Sequence, residues 1–143
     1  MYIHQISVFV ENKPGKLAEL TDFIAKNNIN LRALEVVDAS DYGIMRIIVD
    51  DPFTTVNTLQ ENNWVCNLTH VVGVEFPDEP GSMAKTMKII SDAGINVEYC
   101  YAFFAKGTNN ALMILKVGDN KNVVNVLQQN DIRIINQEDL ENL

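Results

Sequence analysis

The sequence predicts an α+β protein built from two copies of one unit, each a four-stranded antiparallel sheet with two helices on one face. Three observations predict it. A short phrase occurs twice: Val8-Phe9-Val10-Glu11-Asn12-Lys13-Pro14-Gly15-Lys16-Leu17 and Val74-Glu75-Phe76-Pro77-Asp78-Glu79-Pro80-Gly81-Ser82-Met83. The residues around it match at a nearly constant offset, which marks an internal duplication. His4, Ala18, Ile24, Ile29 and Asn30 pair with His70, Ala84, Ile90, Ile95 and Asn96 at an offset of 66, and Asp51, Val56, Leu59 and Asn62 with Asp119, Val124, Leu127 and Asn130 at 68. Finally, both copies read in the order strand, helix, strand, strand, helix, strand.

In the first copy, Ile3, Ile6, Val8 and Val10 lie in a β-rich run. From Pro14 to Asn27, Leu17, Leu20, Phe23 and Ile24 recur at helical spacing, and Asn27-Asn28 ends the helix. Pro14 suits a first helical position, where its missing N–H costs nothing. Leu31–Ala39 is β-like, Ser40-Asp41-Tyr42-Gly43 is a turn, and Ile44–Val49 is a third strand. Phe53, Val56 and Leu59 mark a second helix, and Trp64–Leu68 a last strand. The second copy repeats this with strands at 69–76, 97–105, 111–117 and 132–136, helices at 80–93 and 121–130, and a turn at Lys106–Asn110. Twice βαββαβ is the split βαβ, or ferredoxin-like, pattern. The boundary is expected at residues 67/68, giving units 1–67 and 68–143. The joining run Trp64–Phe76 has no flexible linker composition, so the two sheets are expected side by side as a fixed pseudo-dimer. The tail Gln137–Leu143 reads as a short surface helix or a frayed end.

Composition narrows the function. The chain has 143 residues, 47% hydrophobic and 21% charged, as in ordinary globular proteins. Its net charge of −8 opposes binding to nucleic-acid phosphates or to an anionic membrane. No apolar run approaches the roughly 20 residues needed to cross a bilayer, and the start lacks a signal-peptide pattern, so a cytoplasmic location is expected. Cys66 and Cys100 form no metal-spaced pair and read as reduced packing residues. His4 and His70 are better explained as matched positions of the duplication than as a metal site, which takes three or four ligands. No nucleophile–base pair, phosphate loop, metal cluster or cofactor motif is present, so no catalytic residue and no cofactor is assigned.

The two copies of strand, Asn/Asp-x-Pro-Gly, x-Leu/Met, helix, Ile-Asn-Leu/Val resemble the ACT domain family, in particular its tandem members without a catalytic part. The motif residues are Asn12, Lys13, Pro14, Gly15, Lys16 and Leu17 with Asn30 and Leu31, and then Asp78, Glu79, Pro80, Gly81, Ser82 and Met83 with Asn96 and Val97. The resemblance implies a regulatory protein that binds a small ligand, most often a free amino acid, between ACT units. The Pro-Gly loop of one unit would meet the second strand of a neighbour, at Leu31-Arg32-Ala33 or Val97-Glu98-Tyr99. It further implies a homodimer and, as a partner, an enzyme of amino-acid metabolism. The first copy is similar to the serine-binding ACT domain of phosphoglycerate dehydrogenases. There Asn12 and Asn30 fall on two asparagine positions, but Val10 replaces a histidine. In the second copy Phe76 and Asp78 replace the histidine and the first asparagine.

The chemistry also stands on the residues alone. Backbone N–H groups at a helix start favour a carboxylate, and a glycine there keeps side-chain bulk away. Asn12, Asn30, Asp78 and Glu79 offer acceptors for an ammonium group. Two other readings remain open: an interaction subunit whose ligand sites are vestigial, and a small enzyme with an unrecognised site. A Pro-Gly phrase can also be no more than a helix start, and Asn30 and Asn96 no more than turn residues.

Overall fold

The structure, a computed structural model, describes residues 2–103 and 107–143; residues 104–105 of the expected strand and Lys106 of the expected turn lie outside the described residues. The chain divides into a first unit, His4–Thr69, and a second unit, His70–Leu143 together with Met1–Ile3. The first unit contains β1 (Ile3–Glu11), α1 (Lys16–Lys26), β2 (Leu31–Ala39), β3 (Tyr42–Val49), α2 (Pro52–Glu61) and the opening residues of β4 (Val65–Pro77). The second contains the rest of β4, α3 (Ser82–Asp92), β5 (Val97–Ala102), β6 (Asn110–Val117), α4 (Asn120–Gln129) and β7 (Arg133–Ile135).

Each unit has the strand order expected of a split βαβ fold. In the first, β3 lies antiparallel to β1, with Val8 opposite Met45, and to β2, with Val36 opposite Met45. In the second, β6 lies antiparallel to β4 and β5, and β7 pairs with the far side of β4. The second strand of each unit carries a bulge at the matched place, between Leu31 and Ala33 and between Val97 and Tyr99. Period-two alternation puts Ile6, Val8, Val10, Met45, Ile47 and Val49 on one sheet face. They pack there against Leu20 and Ile24 of α1 and Val56 and Leu59 of α2. Val72, Val74 and Phe76 of β4 do the same with Ile90, Val124 and Leu127.

Among the described residues, the four α-helices start in two different ways. Asp51 accepts from the Thr54 N–H at 3.1 Å and Asp119 from the Asn122 N–H at 3.0 Å, closing the starts of α2 and α4 with a side chain. α1 and α3 have no side-chain cap, and the residue before each is a glycine in the left-handed region, Gly15 at φ 86° and Gly81 at φ 94°. That conformation is not helical, so α1 begins at Lys16 and α3 at Ser82, two residues later than the prolines suggest.

The tail takes the first of its two expected forms, a short helix, but one that is anchored rather than frayed. Glu138–Asn142 forms a 3₁₀ turn whose Leu140 is fully buried. Asn136 Oδ1 accepts from the Glu138 and Asp139 N–H groups, and Asp139 accepts from the Asn136 N–H. One leucine among polar residues was too thin a periodic signal to reveal this anchor.

Candidate functional site

The end of β1 turns sharply before α1. The Lys13 N–H donates to the Glu11 carbonyl at 2.9 Å and the Lys16 N–H to the Lys13 carbonyl at 3.3 Å. Asn12 ties this loop to the β2–β3 hairpin. Its N–H donates to the Asp41 carbonyl at 3.1 Å, and its Nδ2 to Asp38 Oδ1 at 3.3 Å and to the Ser40 carbonyl at 3.1 Å. Loop and hairpin thereby border a cleft of about 430 Å³. Val10 and Met45 are buried at its base, while Leu17 and Val36 remain 43% and 47% exposed on its walls.

Two kinds of polar group line this cleft. On one side, a Cβ built on Gly15 would meet no atom within 4 Å, so the start of α1 opens to the cleft. Among the described residues no acceptor engages the N–H of Gly15 or Leu17. On the other side stands Asp38, which accepts from Asn12 and pairs with no cation among the described residues. Lys13 is occupied: it pairs with Glu11 at 2.8 Å. This ammonium holds the Glu11 carboxyl below its usual range, and the carboxylate in turn raises Lys13.

The second loop repeats the backbone geometry. The Glu79 N–H donates to the Pro77 carbonyl and the Ser82 N–H to the Glu79 carbonyl, and a Cβ on Gly81 would again meet nothing within 4 Å. The Asp78 N–H donates to the Asn109 carbonyl at 3.1 Å. Asp78, Glu79, Pro80, Gly81, Ser82 and Met83 thus share one loop and helix start, as Asn12, Lys13, Pro14, Gly15, Lys16 and Leu17 do in the first unit.

This fold has counterparts among known proteins. The family described as an ACT domain pair matches residues 1–143, the whole chain. The chain belongs to the ACT domain pair family. This ACT pair is similar to protein BT0572 from Bacteroides thetaiotaomicron, with 37% identity and a TM-score of 0.91 over 100% of this chain and 98% of that one. It shares its fold with the regulatory subunit of aspartate kinase from Thermus thermophilus at 16% identity and a TM-score of 0.61, covering 89% and 91% of the two chains. The corresponding subunit from Thermus flavus gives 14% identity and a TM-score of 0.62, covering 90% and 93%. None of the curated proteins matches the chain.

Within each ACT unit, the remaining predicted residues lie elsewhere. Asn30 and Leu31 sit at the start of β2, whereas Asp38 sits near its end. At about 3.3 Å per residue, roughly 25 Å separates them. Asn30 Nδ2 donates to Asp50 Oδ2 at 3.4 Å, and Arg32 Nε donates to Asp50 Oδ1 at 2.7 Å. Asn96 and Val97 hold the matched place at the start of β5. Asn12 and Asn30 therefore do not meet inside one ACT unit.

The Arg32 guanidinium, helped to a lesser degree by Asn30, holds the Asp50 carboxyl below the usual aspartate range; partial burial opposes it more than Asn30 adds, but less than Arg32. A lowered folded pKa contributes stability that is present above the unfolded value and is lost as pH falls through the folded one. Asp50→Asn is therefore expected to flatten the loss of thermal stability below about pH 4. Melting curves at pH 3 to 7 measure it; an unchanged acid slope would remove Asp50 from the account.

The cleft adds residues that sequence reasoning did not select: Val10, Val36, Val37, Asp38, Ile44 and Met45. Asp38 ends a strand in an unremarkable run, and only the fold of the β2–β3 hairpin brings it beside Asn12. A register drawn from the predicted turn at Ser40–Gly43 would have pointed to it.

Proposed function

We propose that this ACT pair is a non-catalytic regulatory protein that binds a free amino acid in the cleft before α1. One observation carries the reading: α1 starts without a side-chain cap, and its open amides line the same cleft as the Asp38 carboxylate, which pairs with no cation among the described residues. A free amino acid carries both complementary charges on adjacent atoms. Its carboxylate would accept from the Gly15 and Leu17 N–H groups, aided by the helix dipole. Its ammonium would donate to Asp38 and to the Asn12 carbonyl oxygen, whose amide nitrogen is already used. The Pro80-Gly81 start of α3 is the matched candidate in the second unit, with Asp78 as its carboxylate.

Asn30 and Leu31 lie too far along β2 to reach the Asn12 loop of their own unit. As ligand contacts they would serve the Pro-Gly loop of a neighbouring unit, in the same chain or in a second copy. We take the homodimer as the working assembly; light scattering after gel filtration reads its mass.

A thermal-shift series with the twenty amino acids at millimolar concentration tests the function. Ligand stabilises the folded state by RT ln(1 + [L]/Kd), about 2.7 kcal/mol at a hundredfold excess over Kd. A reproducible upward shift with a subset of amino acids is the expected result. No shift with any of them would sink the proposal.

A further inference from the structure

We infer that the first-unit cleft selects an amino acid with an uncharged, apolar side chain, of the leucine, methionine or phenylalanine kind. The inference rests on the ligand reading above and adds to it the nature of the side chain.

Once the carboxylate and ammonium are placed on the α1 start and on Asp38, the rest of the cleft surrounds the side chain. Its base is Val10 and Met45, both buried, and its walls are Leu17 and Val36. Val36 stands opposite Met45 in register, so it lies on the helix-bearing face of the sheet, yet it is 47% exposed. Exposed aliphatic groups on both walls of a concave site are surface that an apolar ligand removes from water.

Charge excludes the alternatives. An acidic side chain would need a cation, and the lysine lining the cleft, Lys13, is held by Glu11. A basic side chain would need a free carboxylate, but Glu11 is paired and Asp38 is taken by the α-ammonium. A hydroxyl or amide side chain would set its polar atoms against Val10, Leu17, Val36 and Met45 and lose hydration without return.

The matched positions assign this selectivity to the first unit. Val10, Val36 and Asn12 correspond to Phe76, Ala102 and Asp78. Where the first unit has a valine at the base, Phe76 fills that position and is itself buried.

Calorimetric titration of the full chain with leucine, methionine, phenylalanine, glycine, serine, aspartate and lysine tests this. Leucine is expected to bind at least about tenfold more tightly than glycine, the step that burial of one aliphatic side chain provides. Val36→Asn and the exposed wall variant Leu17→Ala should each narrow that ratio, while Gly118→Ala should leave it unchanged. Glycine, serine, aspartate or lysine binding as tightly as leucine would overturn the inference and leave the amino-acid reading standing. Binding of none of the seven, with no thermal shift from the other thirteen, would end both.

Discussion

Replacing Gly73 by valine is expected to lower the melting temperature by roughly 5–10 °C, corresponding to about 2–3 kcal/mol of overpacking in a chain of this size. Gly73 lies inside β4 opposite Ile135 of the three-residue strand β7. A Cβ placed on it would stand 3.0 Å from both the Ile135 Cβ and the Ile135 carbonyl oxygen, and 2.6 Å from Ile3 Cδ1. The Ile3 methyl is the end of a flexible side chain and can turn away. The Ile135 contacts involve backbone and a branched carbon, so β7 itself must move, and a strand this short has few hydrogen bonds to hold it in place. Gly118→Ala is the control. Its Cβ would meet nothing within 4 Å, and its φ lies outside the left-handed region, so stability should stay within about 0.5 kcal/mol. Denaturant melts of the two variants beside the parent decide the matter. Equal stability of all three would mean that β7 does not pack on Gly73 as described.

Gly15→Asp has the largest expected effect on binding, a loss of at least about a hundredfold in the first unit. The new carboxylate would stand where the ligand carboxylate is proposed, and like charges about 4 Å apart at a protein surface repel by roughly 4 kcal/mol. The fold itself should survive. Nothing lies within 4 Å of a Cβ at this position, and the remaining cost is the left-handed φ of 86°, about 1–2 kcal/mol for an L-residue. Gly15→Asn tolerates that conformation better and adds similar bulk without charge, so it should retain more affinity than the aspartate variant. Titration of both, with Gly81→Asp in parallel, separates the two helix starts. Unchanged affinity in Gly15→Asp would move the ligand away from the start of α1.

The fold was legible because the chain says it twice. Each hydrophobic alternation is marginal on its own, but Val8 and Val74, Ile24 and Ile90, or Leu59 and Leu127 in the same places turn weak local signals into one pattern. Element ends were less legible. The helix pattern around Leu17 and Leu20 extends back to Pro14, and nothing in the hydrophobic spacing shows that Gly15 takes a positive φ and delays the helix. The Pro-Gly loop itself was legible, since proline and glycine act through the backbone they belong to. The groups facing it were not. Asp38 is 26 residues from Asn12 in sequence, and Val36 reads as an ordinary strand residue until the hairpin folds it into the cleft that Leu17 also lines. The resemblance named Asn30 together with Asn12 for a site between units, and within one unit β2 separates the two by most of its length.

The two ways of starting a helix have a consequence for how the molecule can report on its surroundings. α2 and α4 close themselves with Asp51 and Asp119, so their first turns carry a fixed local stability. α1 and α3 leave that closure to water or to a solute. On the proposed reading, the order of their first turns would follow solute concentration rather than being a constant of the sequence. A part that stiffens only when a metabolite is abundant acts as a gauge. The capped helices would then be the fixed frame against which that gauge reads.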